Sequence, residues 1–106
     1  MMPKTTRFDA ADYLDTPEAR AEYMTAALET GDVDFIRDAV GVVARARGMT
    51  KIAKETGLSR ESLYKALGET GNPEFATVLR IVRALGLRLS AHPAAAGRKS
   101  KNRRVA

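Results

Sequence analysis

The stretch from Thr50 to Leu67, Thr-Lys-Ile-Ala-Lys-Glu-Thr-Gly-Leu-Ser-Arg-Glu-Ser-Leu-Tyr-Lys-Ala-Leu, leaves few folds open to this chain. It reads as two short helices joined by a tight turn. Thr50 is placed to cap the first helix, because its hydroxyl can accept a bond from a free amide of the opening turn. Ile52, Ala53 and Thr56 follow at helical spacing. Gly57 ends that helix, since the left-handed conformation costs glycine least. Leu58 fills the corner. Ser59 caps the second helix, whose apolar stripe is Leu63, Ala66 and Leu67. A small Ala53 at the helix crossing and Gly57 at the corner predict a helix-turn-helix.

The outward positions of the second helix are Arg60, Glu61, Ser62, Tyr64 and Lys65. All of them carry hydrogen-bonding groups. A helix that reads DNA needs this, because base edges in the major groove are distinguished by donors and acceptors. The plainer alternative is a surface helix of an ordinary bundle. The polar run just after a Gly-Leu-Ser corner favours DNA reading. The candidate DNA-binding set is Thr50, Lys51 and Lys54 with Ser59, Arg60, Glu61, Ser62, Tyr64 and Lys65. Lys51 and Lys54 suit phosphate contacts, which position a protein without reading sequence.

Charge runs along the chain as a gradient. Residues 1–38 hold four Lys/Arg against nine Asp/Glu, residues 39–97 hold nine against four, and residues 98–106 hold five basic residues and no acid. Such asymmetry predicts different partners for the two ends. With 106 residues and 44% hydrophobic content, one small domain is expected. The absence of cysteine excludes a disulfide framework and thiolate chemistry. No apolar run approaches the roughly 18 residues of a membrane span, and no apolar leader opens the chain, so a cytoplasmic protein without a membrane partner is expected.

The remaining elements are read from caps and periodicity. Residues 1–7 are expected to be a flexible start. Phe8, Ala11 and Leu14 are spaced for a short helix. Thr16-Pro17-Glu18 opens a helix running to about Glu29, with Ala21, Met24, Ala27 and Leu28 inward and Gly31 as its stop. Tyr23 and Met24 read as core. Asp32 starts the next helix, whose inner face is Phe35, Ile36, Ala39, Val40, Val43 and Ala46, with Gly48 at its end. Asn72 and Pro73 predict another start, followed by an inner face of Phe75, Val78, Leu79, Val82 and Leu85 and a stop at Gly86. The alternation in Leu87-Arg88-Leu89-Ser90 allows a short strand, which would need a partner, for instance in a second subunit. The folded domain is thus expected over residues 8–90. Residues 91–106 are expected to be a basic, disordered tail able to find phosphates.

Enzymatic chemistry finds little support. The single histidine, His92, beside Pro93, cannot build a triad or an ordinary zinc site without cysteine, and it reads as an exposed loop residue. Neither Gly68 and Gly71 nor Gly97-Arg98-Lys99-Ser100 fits a phosphate loop. The acids of the front third show no paired-carboxylate geometry. No cofactor, no metal and no catalytic residue is expected.

With these residues placed, the chain resembles the addiction-module antidote proteins, antitoxins that carry an Xre/Cro-type helix-turn-helix. The resemblance rests on Phe8-Asp9, Tyr13-Leu14, Ala27-Leu28-Glu29, Gly31-Asp32 and Ala44 to Met49. It continues through Thr56 to Leu67, Gly71-Asn72-Pro73 and Ala84 to Leu87, and covers roughly residues 8–90. It implies an all-α, lambda-repressor-like bundle that binds double-stranded operator DNA, a RelE-like toxin partner, and repression of the operon encoding both. In similar domains the first, second and sixth residues after the recognition-helix cap touch bases, which here are Arg60, Glu61 and Lys65. Arg60 and Lys65 suit the O6 and N7 acceptors of guanine. Glu61 either accepts from a cytosine amine or complements the helix dipole, with the dipole role favoured. One short helix buries little surface, so a homodimer is expected, with 75–90 as its interface. Two other functions fit the same residues: a prophage-type regulator without a toxin, and a helical protein-interaction module whose DNA binding is vestigial.

Overall fold

A computed structural model describes residues 9–94. A short 3-10 helix, Ala10–Tyr13, precedes five α-helices: α1 (Pro17–Thr30), α2 (Val33–Arg47), α3 (Met49–Thr56), α4 (Arg60–Ala66) and α5 (Phe75–Ala84). The described residues form an all-α fold.

Three of the expected caps form. Thr16 accepts a bond from the Ala19 amide at 3.0 Å and Pro17 opens α1, where its missing N–H costs nothing. Asp32 accepts from the Phe35 amide at 3.1 Å and starts α2. Ser59 accepts from the Ser62 amide at 2.9 Å and starts α4. Gly31 and Gly57 close α1 and α3 in the left-handed region, at φ 69° and 79°. After α5, the Gly86 amide bonds the Arg83 carbonyl and the Leu87 amide reaches the Val82 carbonyl, the paired bonds of a Schellman motif. That motif occupies Leu87, and no strand forms at 87–90 among the described residues, where no second strand is present to satisfy one.

α1 packs along α2, and α2 carries the 3-10 helix on its far half. α3 touches α2, α4 and α5 and so lies at the centre. Its Ile52 is wholly buried, as are Val43 of α2, Leu63 of α4, Ile81 of α5 and Leu85 just after it. Burying each such side chain contributes roughly 1.5–3 kcal/mol against leaving it in water. Met24, Ala27, Ala39, Val40 and Ala44 complete the contact between the first two helices and this core. Tyr23 packs at its edge.

Some expectations are corrected. Thr50 does not cap α3. Gly48, at φ 110° and ψ 112°, ends α2 and begins α3 at once, so the helix starts at Met49 and Thr50 lies exposed inside it. Asn72 and Pro73 do not open α5, which starts at Phe75 after an extended Glu74. The loop before α5 is pinned instead. Gly71 lies so close under the Ala66 carbonyl that a methyl group there would collide with it. The Gly71 carbonyl accepts from Arg37 Nη1 of α2 at 3.3 Å. Phe75 and Phe35 are 70% and 49% exposed, because the first turns of α5 and α2 overhang the core. Leu28 is also exposed, whereas Ile81, which the periodicity argument passed over, is buried on the Val78, Val82, Leu85 face. Ala11 lies in the 3-10 helix and Leu14, just after it, is buried, while Phe8 and the expected flexible start, 1–7, lie outside the described residues, as does most of the expected basic tail, 95–106.

Asp9 ties the front of the domain down. Its carboxylate caps the 3-10 helix by accepting from the Ala11 amide at 3.0 Å and pairs with Arg45 Nη2 at 3.2 Å. The Ala11 amide first, and the Arg45 guanidinium second, hold the Asp9 carboxyl below the usual carboxylate range. A depressed native pKa stabilises the fold at pH values above the unfolded pKa, and the contribution disappears as pH falls through the native one. The stability gap between wild type and Asp9→Asn, measured by denaturant unfolding, is therefore expected to be constant near neutrality and to close on acidification. For the pinned loop, Gly71→Ala is expected to destabilise by roughly 1–3 kcal/mol, because backbone and not a flexible side chain must move. An unfolding midpoint equal to wild type would contradict that packing.

Candidate nucleic-acid interface

The α3 and α4 pair is built from three anchors. Ile52 and Leu63 bury one side chain from each helix in the common core. Ala53, 7% exposed, keeps the contact between them thin. The corner is held by Thr56, whose buried hydroxyl donates to the Ile52 carbonyl at 2.8 Å, with the Ala53 carbonyl at 3.2 Å, and accepts from the Leu58 amide at 3.3 Å. Gly57 turns the chain with its amide on the Ala53 carbonyl at 3.0 Å, and Leu58 packs against the core. Arg80 of α5 donates to the Thr56 carbonyl at 3.5 Å, at the end of α3.

Sequence reasoning counted Thr56 only as a stripe residue and did not name Arg80. A β-branched hydroxyl one position before a helix-ending glycine was the available signal for Thr56, since such a hydroxyl can serve carbonyls of the last turn and an amide of the next segment. Nothing local marks Arg80, whose contact crosses 24 positions.

With Leu63 turned inward, α4 leaves Arg60, Glu61, Ser62, Tyr64 and Lys65 exposed. Thr50, Lys51 and Lys54 are exposed on α3. The structure brings two pairs of these together. Arg60 Nη2 donates to the Tyr64 hydroxyl at 3.1 Å, and the guanidinium carbon lies 5.6 Å from the centre of the Tyr64 ring. Arg60 is thereby held along the helix face by a neighbour four positions on, and a guanidinium with five N–H groups retains donors for another acceptor. The second pair is Ser59 and Ser62. The Ser59 hydroxyl accepts from the Ser62 amide and donates to the Ser62 hydroxyl, both at 2.9 Å, so its hydrogen-bonding capacity is largely spent on capping α4. Ser62 keeps its own hydroxyl proton. Glu61 sits in the first turn of α4, where a negative charge complements the helix dipole.

Chemically, this surface is a short helix end carrying one oriented guanidinium, one ammonium, a hydroxyl and a phenol. Two further ammonium groups stand on the preceding helix. Next to Lys54, an open groove of about 590 Å³ is lined by Glu55 of α3 and by Ala76, Leu79, Arg80, Arg83 and Ala84 of α5. Among the described residues, no helix is long and apolar enough to cross a membrane, and no group of three or more His, Cys, Asp or Glu could hold a metal ion.

Comparison with known proteins places these elements in context. A family model described as "Probable addiction module antidote protein" matches residues 4–93. An uncharacterized protein of Haemophilus influenzae is 46% identical over 80 residues, which span 76% of this chain and 82% of that protein. No solved structure matches.

The Ser59 cap makes a simple prediction about this surface. Ser59→Ala is expected to cost about 1 kcal/mol of stability, the usual loss for an N-cap hydroxyl. Urea unfolding followed by circular dichroism measures it. A loss below a few tenths would mean that α4 is positioned by Leu63 alone.

Proposed function

Because the chain belongs to the addiction module antidote family, we propose that it is the antitoxin of a type II toxin–antitoxin module that binds operator DNA through α3 and α4, represses its own operon and neutralises a RelE-like toxin. Family membership supports the antitoxin role. The observation that supports the DNA-binding part is the exposed face of α4, capped by Ser59, anchored by Leu63 and headed by an Arg60 braced on Tyr64. In this reading α3 and α4 are a helix-turn-helix of the Xre/Cro type and α4 lies in the major groove. Arg60 and Lys65 read guanine, and Glu61 complements the dipole. Ser62 and Tyr64 lie at the edge of the contact. Lys51 and Lys54 meet phosphates, with Thr50 beside them. Ser59 serves chiefly as the cap.

A dimer completes the reading, with two copies occupying two half-sites and meeting through the 75–90 segment. Leu79 in the α5 groove and the 41% exposed Leu89 offer apolar surface there. The basic residues from Arg98 to Arg104 supply further candidates for phosphate contact.

Gel-shift titration of the region upstream of the gene tests the site. Arg60→Ala is expected to weaken specific binding by about 1–3 kcal/mol and to relax preference at one base position. Lys51→Ala and Lys54→Ala are expected to weaken operator and random DNA alike and to flatten the salt dependence by about one unit per lost phosphate contact. An Arg60→Ala protein that keeps full sequence preference would overturn the assignment of α4 as the reading helix.

A further inference from the structure

At the tip of the α1–α2 hairpin, exposed apolar side chains stand among acidic ones. Leu28, Val33 and Phe35 stand within a turn of the Gly31 connection and are 41%, 74% and 49% exposed. Glu29, Asp32, Asp34 and Asp38 surround them in sequence, against a single cation, Arg37. Arg37 is folded inward. Its side chain is 11% exposed and pairs with Asp34 at 3.1 Å and Asp38 at 3.5 Å while bonding the Gly71 carbonyl. Segment 28–38 thus keeps a net charge of −3 around three apolar side chains that the fold leaves uncovered. α1 continues the same sign with Glu18 and Glu22, and its one cation, Arg20, is buried with Nη1 on the Leu14 carbonyl at 2.9 Å.

Charge decides what can cover this tip. DNA and anionic lipid are repelled by a −3 surface. A second copy meeting it tip to tip would set like charges against each other, since a two-fold interface pairs a patch with itself. A cationic protein surface with an apolar recess gains on both counts, by burial of Val33 and Phe35 and by pairing with the acidic rim. We infer that the hairpin tip formed by Leu28, Val33 and Phe35 within their acidic rim is the docking surface for the toxin, a basic protein partner. The inference rests on the antitoxin reading above. It places toxin capture on α1 and α2 and DNA contact on α3 and α4, so one chain can hold both at once.

The test titrates the full chain against the purified product of the reading frame adjoining its gene, by isothermal calorimetry, alongside operator gel shifts and sedimentation. The variants are Val33→Lys alone and Val33→Lys with Glu29→Lys. Neither position caps a helix or belongs to the Arg37 ion pairs. Helical circular dichroism and unchanged operator affinity establish that each variant is folded. The double variant is expected to lose affinity for the partner by about tenfold or more, and the single variant by less. Wild-type binding should weaken with added salt. If wild type binds the partner and both variants bind equally well, the docking surface is elsewhere and the antitoxin reading stands. If wild type does not bind it, the antitoxin reading fails and the inference falls with it. If the variants lose self-association instead, the tip is an interface between copies, which also overturns the proposal.

Discussion

The burial of Ile52 at the centre of α3 is the contact on which the remaining structure depends. α3 spans only Met49–Thr56, too short to persist as an isolated helix, yet it touches α2, α4 and α5. Its four buried residues, Met49, Ile52, Ala53 and Thr56, lie on one stripe. Three use that stripe for packing. Thr56 uses it for polar work, closing the helix and holding the following turn with one hydroxyl. The direction of α4 therefore follows from how α3 is seated. The exposed side of α4 is whatever the Leu63 anchor leaves outside.

Much of this was legible in the sequence because its causes are local. Thr16-Pro17, Asp32 and Ser59 cap helices through their own side chains, and Gly31, Gly57 and Gly86 stop them by adopting positive φ. The errors arose where a neighbouring element or a distant contact decides. Thr50 was a sound local cap, but Gly48 joins α2 to α3 so tightly that the helix starts before it. Asn72-Pro73 was a sound local start, but Arg37, 34 positions away, holds Gly71 in a packed loop and delays α5 to Phe75. Phe35 and Phe75 fit the periodicity and miss the core because periodicity does not report where a bundle ends. The exposed residues of the candidate site were legible for the same local reason, as α4 has one apolar side. The brace of Arg60 on Tyr64 was not, although an i, i+4 spacing permits it.

Opposite charges on the two halves give the molecule two distinct surfaces. The front third is acidic and leaves apolar side chains exposed at a hairpin tip, while α3 and α4 expose Lys51, Lys54, Arg60 and Lys65. If the chain holds a nucleic acid and a basic protein as proposed, this separation keeps each partner away from the other's site by charge. On the proposed function, one small core would support both interfaces.

The central claim is that α4 presents Arg60 and Lys65 to the major groove. Dimethyl sulfate protection of the region upstream of the gene tests it most directly, since the reagent attacks guanine N7, the acceptor assigned to these side chains. Two clusters of protected guanines are expected, separated by one helical turn, about 34 Å, with Arg60→Ala releasing protection at one guanine in each cluster. Guanines that stay fully reactive under saturating protein would contradict the account.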